Sequence, residues 1–210
     1  MSKDTWDTVW DKQQMRQSTL HSLIYFLREH YFSSTFARFA RKRIKGLILE
    51  VGCGTAQCSL KILTKGIKII GADFSASALQ LAKDYSSGNK AIKFIVTDAF
   101  NLPFGENTFD AVWSVGLLEH FEDPSLALTE MRRVVKPDGK VIAIVPYRYG
   151  PLGMLNYSFQ KLGKEWIWEE ETPMDIADMH RIFEQARFRN INVHKMYDTF
   201  LMFLGATGEK

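Results

Sequence analysis

The sequence predicts an α/β fold, a doubly wound and mostly parallel sheet behind a helical N-terminal extension, and three observations carry the prediction. Apolar runs of strand length alternate with helix-patterned segments from Leu47 to Val145, and the first of these strands opens through a glycine-rich turn into a helix. The last two apolar runs, Ile191 to Met196 and Thr199 to Leu204, lie too close together for a crossover helix. Alternation gives parallel neighbours, and the short final connection gives a hairpin and hence an antiparallel last strand.

At 210 residues the chain suits one such domain, large enough to bury roughly 70% of the surface its unfolded form exposes. Hydrophobic residues at 46% and charged residues at 24% are globular values, and no apolar run approaches the roughly 20 residues that span a bilayer. The stretch from Met1 to Gln14 has no apolar core of the kind a signal peptide needs, so a cytoplasmic location is expected.

Residues 1–46 read as the helical extension. Leu20, Leu23, Ile24, Leu27 and Tyr31 share one helix face, Phe32, Phe36 and Phe39 continue it, and Trp6 and Trp10 stand one turn apart ahead of it. Such a face needs a partner, so the extension either closes over the cleft as a lid or packs on the sheet. It holds nine Lys and Arg against four acids, with Arg38, Arg41, Lys42, Arg43 and Lys45 crowded before the first strand, while the rest of the chain is slightly acidic. A solvated helix end is the ordinary meaning of such a cluster; an anionic substrate, peripheral contact with a membrane surface, or RNA are the sharper ones.

The domain proper runs over 47–210. In Leu47 to Leu60, LILEVGCGTAQCSL, Leu47, Ile48, Leu49 and Val51 form a buried strand, Gly52 and Gly54 allow a sharp turn against a ligand, and Leu60, Ile62 and Leu63 begin a helix. A dinucleotide fingerprint needs a third glycine where this chain has Gln57, and Glu50 before the turn repels a pyrophosphate. A cationic group such as an amino-acid ammonium suits that carboxylate. Lys68 to Ala72 reads as the second strand, with Asp73 at its end, 19 residues after Gly54, where an acid can accept two hydrogen bonds from a ribose. Phe74 beside it can stack on a base. The third strand ends near Val96, and Asp98 beyond it can accept from an exocyclic amine. Taken singly, a Gly-x-Gly turn is an ordinary tight turn and a strand-end acid a solvated cap; three acids facing one cleft favour a ligand.

Ser75 reads as the N-cap of a helix carrying Leu79, Leu81 and Ala82, and Asp123 with Pro124 as the start of one carrying Leu126, Leu128, Met131 and Val135. Lys136 to Gly139 then turns into a strand from Lys140 to Val145. Tyr147 to Asp175 is the least regular stretch, dense in aromatics and placed after a strand's C-terminal end, the edge at which open α/β sheets bind ligands; it is expected to shape an acceptor pocket. Only Cys53 and Cys58 occur, without the His or Cys cluster of a metal site, so reduced, packed thiols and no metal are expected.

From about Leu47 to Pro146 the chain resembles the class I S-adenosylmethionine-dependent methyltransferases, particularly the branch with the quinone C-methyltransferases. FDAVWSVGLLEHFEDP (Phe109 to Pro124) looks like the family's fourth-strand motif, and MRRVVKPDGKVIAIVP (Met131 to Pro146) like its helix, turn and fifth strand. The resemblance implies a seven-stranded Rossmann-like sheet and S-adenosyl-L-methionine as cofactor, with S-adenosyl-L-homocysteine as product. It implies that Glu50, Gly52 and Gly54 hold the methionine part, Asp73 the ribose hydroxyls, and Asp98 with the Ala99 backbone the adenine, with Cys53, Phe74 and Val115 also lining the cofactor site. Two positions depart from the family's pattern: Ala56 where many members have glycine, and Arg187 in Ala186-Arg187-Phe188 where many have Ala-Gly-Phe.

Methyl transfer from a sulfonium is an in-line displacement that chiefly needs alignment and exclusion of water. Should the acceptor need a base, His120 is the first candidate, then Glu119, then Tyr147; packing is the plainer role for His120. The function expected is methylation of a small-molecule acceptor with an aromatic or apolar body, and nucleic acid is not an expected partner. A nicotinamide-dependent oxidoreductase and a catalytically silent cofactor-binding partner protein are the alternatives.

Overall fold

The computed structural model describes residues 32–161 and 172–210. The readings made above for Trp6, Trp10 and the helix face from Leu20 to Tyr31 lie outside the described residues. Seven strands form one sheet: β1 Leu47–Val51, β2 Lys68–Asp73, β3 Ile92–Val96, β4 Phe109–Val115, β5 Val135–Pro146, β6 Arg189–Lys195 and β7 Phe203–Glu209. Their order is β3-β2-β1-β4-β5-β7-β6; the first five are parallel, and β7 runs antiparallel to both β5 and β6. From β1 the chain moves outward to β2 and β3, then returns to the other side of β1 for β4. That reversal opens a crevice at the C-terminal ends of β1 and β4.

Alternation along the strands divides the core into two layers. Leu49, Val51, Val112 and Val145 face α4 (Pro124–Val134) and α6 (Ile176–Gln185), meeting Met131 and Phe183. Ile48, Trp113, Ile142 and Ile144 face α1 (Ser33–Arg41), α2 (Gln57–Ile62) and α3 (Ala76–Ser86), meeting Phe36, Ile62 and Leu79. A period of two puts neighbouring residues on opposite layers, so Glu50 shares the second layer with Ile48.

The helix starts obey local chemistry. Ser75 Oγ accepts from Ala78 N at 3.2 Å, as its position predicts, and Asp123 Oδ1 accepts from Ser125 N at 3.0 Å with Pro124 in the first turn. Helix α6 opens with a reciprocal box, Asp175 and Asp178 each accepting the other's backbone N–H. Within the irregular stretch after β5 lies α5 (Pro151–Lys161).

Two strand boundaries differ from the sequence expectation. Strand β5 begins at Val135, paired with Phe109, because Lys136 to Gly139 bulge out of register before Lys140 pairs with Ala111. Lys136 Nζ is thereby brought to Asp110 Oδ1 at 2.7 Å. The last strand begins at Phe203 and not Thr199, since Tyr197–Thr199 is a short 3-10 turn and Phe200 and Leu201 are left-handed. Apolarity in that run belongs to a turn. Glycine 205 hides the strand that follows, because its missing side chain is replaced by the Phe39 ring, 2.8 Å from where a Cβ would be.

The described end of the N-terminal extension packs on the sheet. Phe36 meets Phe203 edge-on at 4.8 Å between ring centroids, and Ala37 and Ala40 are buried beneath α1. Much of the basic cluster serves this docking. Arg38 pairs with Asp198 at 2.7 Å, Arg41 donates to the Lys61 carbonyl, and the Arg43 guanidinium lies 3.9 Å from the Phe39 ring centre. Lys42 and Lys45 stay exposed.

Both departures from the glycine pattern are left-handed: Ala56 has φ 58° at the start of α2 and Arg187 φ 62° beyond the end of α6. The chain therefore keeps a glycine conformation without glycine. Because left-handed backbone costs an L residue roughly 1–2 kcal/mol, more than the roughly 0.4–1 kcal/mol by which glycine's freer unfolded chain opposes folding, Arg187→Gly is expected to stabilise the fold by roughly 0.5–1 kcal/mol in urea unfolding. Unchanged or lowered stability would show that the exposed Arg187 side chain contributes as much as its backbone costs.

Candidate cofactor site

The crevice is floored by the turn after β1. Gly52 and Gly54 are left-handed, φ 70° and 50°, and the Ala72 carbonyl at the end of β2 accepts from both Gly52 N at 2.8 Å and Cys53 N at 3.1 Å. Asp73 completes the tie: Oδ2 accepts from Gly54 N at 2.7 Å and Oδ1 from Ser75 N at 2.9 Å, joining the turn to the start of α3. A Cβ on Gly52 would lie 2.7 Å from Leu117 Cδ1, so the loop after β4 rests directly on this turn.

Glu50 stands opposite Gly71 and Trp113 in register, 2% exposed, and Ser59 of α2 donates its hydroxyl to Glu50 Oε2. Gly71 leaves room for Cys53, whose Sγ lies 2.9 Å from where a Cβ would be. Burial first, and then the neighbouring Asp73 and Glu50 carboxylates, push the Cys53 thiol well above the usual range. It is held as a neutral packing group, with neither the thiolate of a nucleophile nor that of a metal ligand.

Beyond β3, Thr97 N donates to Asp73 O at 2.9 Å, which sets the next residue, Asp98, beside the Asp73 edge of the crevice. Asp98 is exposed, Oδ1 accepts from Phe100 N at 2.9 Å, and Ala99 is half-buried. The Phe100 ring packs on Phe121 at 4.6 Å, bridging the loops after β3 and β4. Phe74 and Val115 are half-buried at the ends of β2 and β4.

The loop after β4 carries Glu119 and His120 in a short 3-10 turn, Leu118–His120. Glu119 is buried, its Oε1 3.6 Å from where a Cβ on Gly116 would be, and its carbonyl accepts from Thr172 N at 2.9 Å. His120 is half-buried, its backbone N–H donating to Leu117 O at 3.2 Å. Tyr147 is placed differently. Its ring joins the α4 and α6 layer beside Met174, meets Tyr149 edge-on at 5.9 Å, and lies under the Lys195 ammonium of β6.

Glu50, Gly52, Cys53, Gly54 and Asp73 are thus knitted together, Asp98 and Ala99 adjoin them through Thr97, and Val115, Glu119 and His120 border them through Leu117. Sequence reasoning missed Ser59 and Leu117. A small polar residue on the buried side of α2 was the available signal for Ser59; Leu117 had none. The acceptor set fits a ligand with an ammonium group and a ribose: two carboxylates, a left-handed turn that admits close approach, and a further acid one strand away. A pyrophosphate would meet those carboxylates at short range.

Comparison with known proteins agrees. Residues 49–143 match the family model described as a methyltransferase domain. The chain is 27% identical to a demethylmenaquinone methyltransferase of Staphylococcus haemolyticus, covering 91% of this chain and 88% of that one. It is 29% identical to the enzyme of that name from Bacillus subtilis, covering 89% of each. Among solved structures, a SAM-dependent methyltransferase of Thermotoga maritima described as a possible histamine N-methyltransferase has the same fold, with TM-score 0.71, 20% identity, and coverage of 91% of this chain and 96% of that one. The cyclase SpnF shares the fold at TM-score 0.66 and 18% identity, covering 84% of this chain and 80% of its own.

These findings make the chain a class I S-adenosylmethionine-dependent methyltransferase. Its cofactor is S-adenosyl-L-methionine, and the nicotinamide reading is set aside.

Asp73→Ala is expected to weaken S-adenosylmethionine binding at least about tenfold, the worth of hydrogen bonds to a charged group, in a direct titration. Unchanged affinity would remove Asp73 from the site. Gly54→Val should abolish binding while far-UV circular dichroism shows the sheet intact, because a branched side chain opposes the left-handed φ of 50° that the turn needs.

Proposed function

We propose that this enzyme methylates a small, planar or apolar acceptor in the cytoplasm, with Glu50 and the Gly52 to Gly54 turn holding the methionine part of the cofactor, Asp73 its ribose, Asp98 and Ala99 its adenine with Phe74 stacked on the base, and Val115 lining the same site. The observation that carries this reading is a glycine turn at the strand-order reversal bonded to the Asp73 carboxylate, with Glu50 buried on the strand just before it and held by Ser59, beside a loop that carries Glu119 and His120 after β4. Relatives named for acting on demethylmenaquinone support a quinone-like ring as the acceptor. No helix among the described residues is long and apolar enough to cross a membrane.

When bound, the cofactor supplies a methyl group on a sulfonium, open to in-line attack. The chain's part is to align the acceptor behind that carbon and keep water out. Residues 1–46 and the segment 147–175 border the acceptor in this reading, while the remainder of 47–210 serves the cofactor. His120 is the side chain placed to take a proton from the acceptor, with Glu119 beside it in the same turn. Tyr147, largely buried beside Met174, is the third candidate.

Incubating the protein with S-adenosylmethionine and a demethylated quinone, then following S-adenosylhomocysteine and the methylated ring, tests the reading directly. No turnover of any planar apolar acceptor by cofactor-loaded protein would leave a silent cofactor-binding protein. His120→Gln should slow methyl transfer by roughly 100-fold, the lower end of general-base catalysis, with cofactor affinity unchanged. A variant with full turnover makes His120 a packing residue. Deleting residues 1–31 should impair methyl transfer far more than cofactor binding, and full turnover by the truncated chain would confine the extension to packing.

A further inference from the structure

The acceptor-side segment leaves the sheet and returns to it at one place. Strand β5 ends at Pro146, and the returning chain runs beside that end: Met174 N donates to Pro146 O at 3.1 Å, Arg148 N donates to Met174 O at 2.9 Å, and Tyr147 bridges Met174 in parallel. Arg148 holds the same junction with its side chain. Its Nε donates to the Pro173 carbonyl at 3.1 Å, Nη1 to Asp175 Oδ2 at 3.2 Å, and Nη2 pairs with Asp178 Oδ2 at 2.7 Å.

The start of α6 does not need these bonds. Asp175 and Asp178 already accept each other's backbone N–H, and Arg181 pairs with Asp178 at 3.0 Å. What the Arg148 guanidinium adds is a tie between that helix start and the chain leaving β5. A single exposed ion pair fixes little, but here the Arg148 side chain is 41% exposed while the two carboxylates are only 19% and 20% exposed, and one planar fork engages both of them and a carbonyl. A lysine ammonium, a point charge, does not span the three.

Two residues carry the junction to the site. Thr172 N donates at 2.9 Å to the carbonyl of Glu119, in the short turn that also bears His120, and the next residue, Pro173, is the one whose carbonyl Arg148 holds. That link is stiff, because the pyrrolidine ring fixes φ at Pro173 and crowds Thr172 into extended backbone. A held Pro173 carbonyl therefore leaves the Thr172 N–H little freedom to move.

We infer that Arg148 is a positioning residue for methyl transfer: it clamps the return of the acceptor-side segment, and the Thr172–Pro173 link carries that placement to the turn bearing Glu119 and His120. The clamp stands on the bonds themselves; its bearing on turnover rests on the proposed acceptor side.

Native-state amide exchange and steady-state kinetics with S-adenosylmethionine and a demethylated quinone, measured on the full chain and its variants, test this. In Arg148→Gln the Thr172 amide should exchange about tenfold faster or more, whereas the Asp178 amide, capped within α6, keeps its protection. Its kcat should fall roughly tenfold or more while S-adenosylhomocysteine affinity stays at the wild-type value, because the acceptor-side turn shifts and the cofactor cradle does not. Arg148→Lys should recover little of either loss. Pro173→Ala keeps each bond and frees only the link, so it should speed Thr172 exchange and lower kcat in the same direction, and it serves as the test if the arginine variant fails to fold. Unchanged Thr172 exchange in Arg148→Gln, faster exchange with kcat unchanged, or full recovery by Arg148→Lys overturns the inference. A wild type that loses Thr172 protection on Arg148→Gln substitution yet methylates no acceptor would sink the acceptor reading and leave the clamp standing.

Discussion

Asp73 accepts the N–H of Gly54 with one carboxylate oxygen and the N–H of Ser75 with the other, and these two bonds fix the glycine turn against the start of α3. Bonds to a charged acceptor are worth roughly 1.5–3 kcal/mol each, so the tie is strong for its size. Because the Ala72 carbonyl takes the two preceding N–H groups, the whole turn hangs from the end of β2. Leu117 then packs on Gly52, and the loop carrying Glu119 and His120 takes its position from there. Cofactor cradle and acceptor-side loop therefore share one anchor. A disturbance at Asp73 reaches both.

The same anchor sets the electrostatics. Glu50 is held on the second core layer by the strand's alternation and by the Ser59 hydroxyl, and Asp73 by backbone N–H groups. Between them Cys53 is kept neutral. The fold alone does not specify this character. In the proposed reading, selection for a cationic ligand lies in the carboxylates on either side of the turn.

The sheet was legible in the sequence wherever a strand ended in a glycine turn or a helix began at a cap. Gly52, Ser75 and Asp123 each impose a local geometry that few alternatives satisfy, and β1, α3 and α4 follow. Legibility failed where packing overrides local pattern. Phe200 to Met202 look like strand but form a turn, because the true strand, β7, contains glycines that admit the rings of Phe39, Phe183 and Phe188. The Asp175 to Asp178 box with Met179, Ile182 and Phe183 was a readable helix start that aromatic density around it obscured. Tyr147 follows a strand end, as a site residue should, yet its ring turns into the core beside Met174. Strand-end position fixes where a backbone is; it does not fix which way a side chain points.

The insertion of β7 between β5 and β6 also has a bearing on how the molecule is made. Ala143 pairs with Ala206 across 63 residues of chain, so the apolar, wholly buried run from Val141 to Val145 has one edge open until the whole of α6 and β6 has been threaded past it. Such non-local pairing slows folding, and an uncharged strand with a bare edge is a template for other chains. During synthesis this edge is the segment most in need of a chaperone, and refolding at high protein concentration should favour aggregates joined along β5.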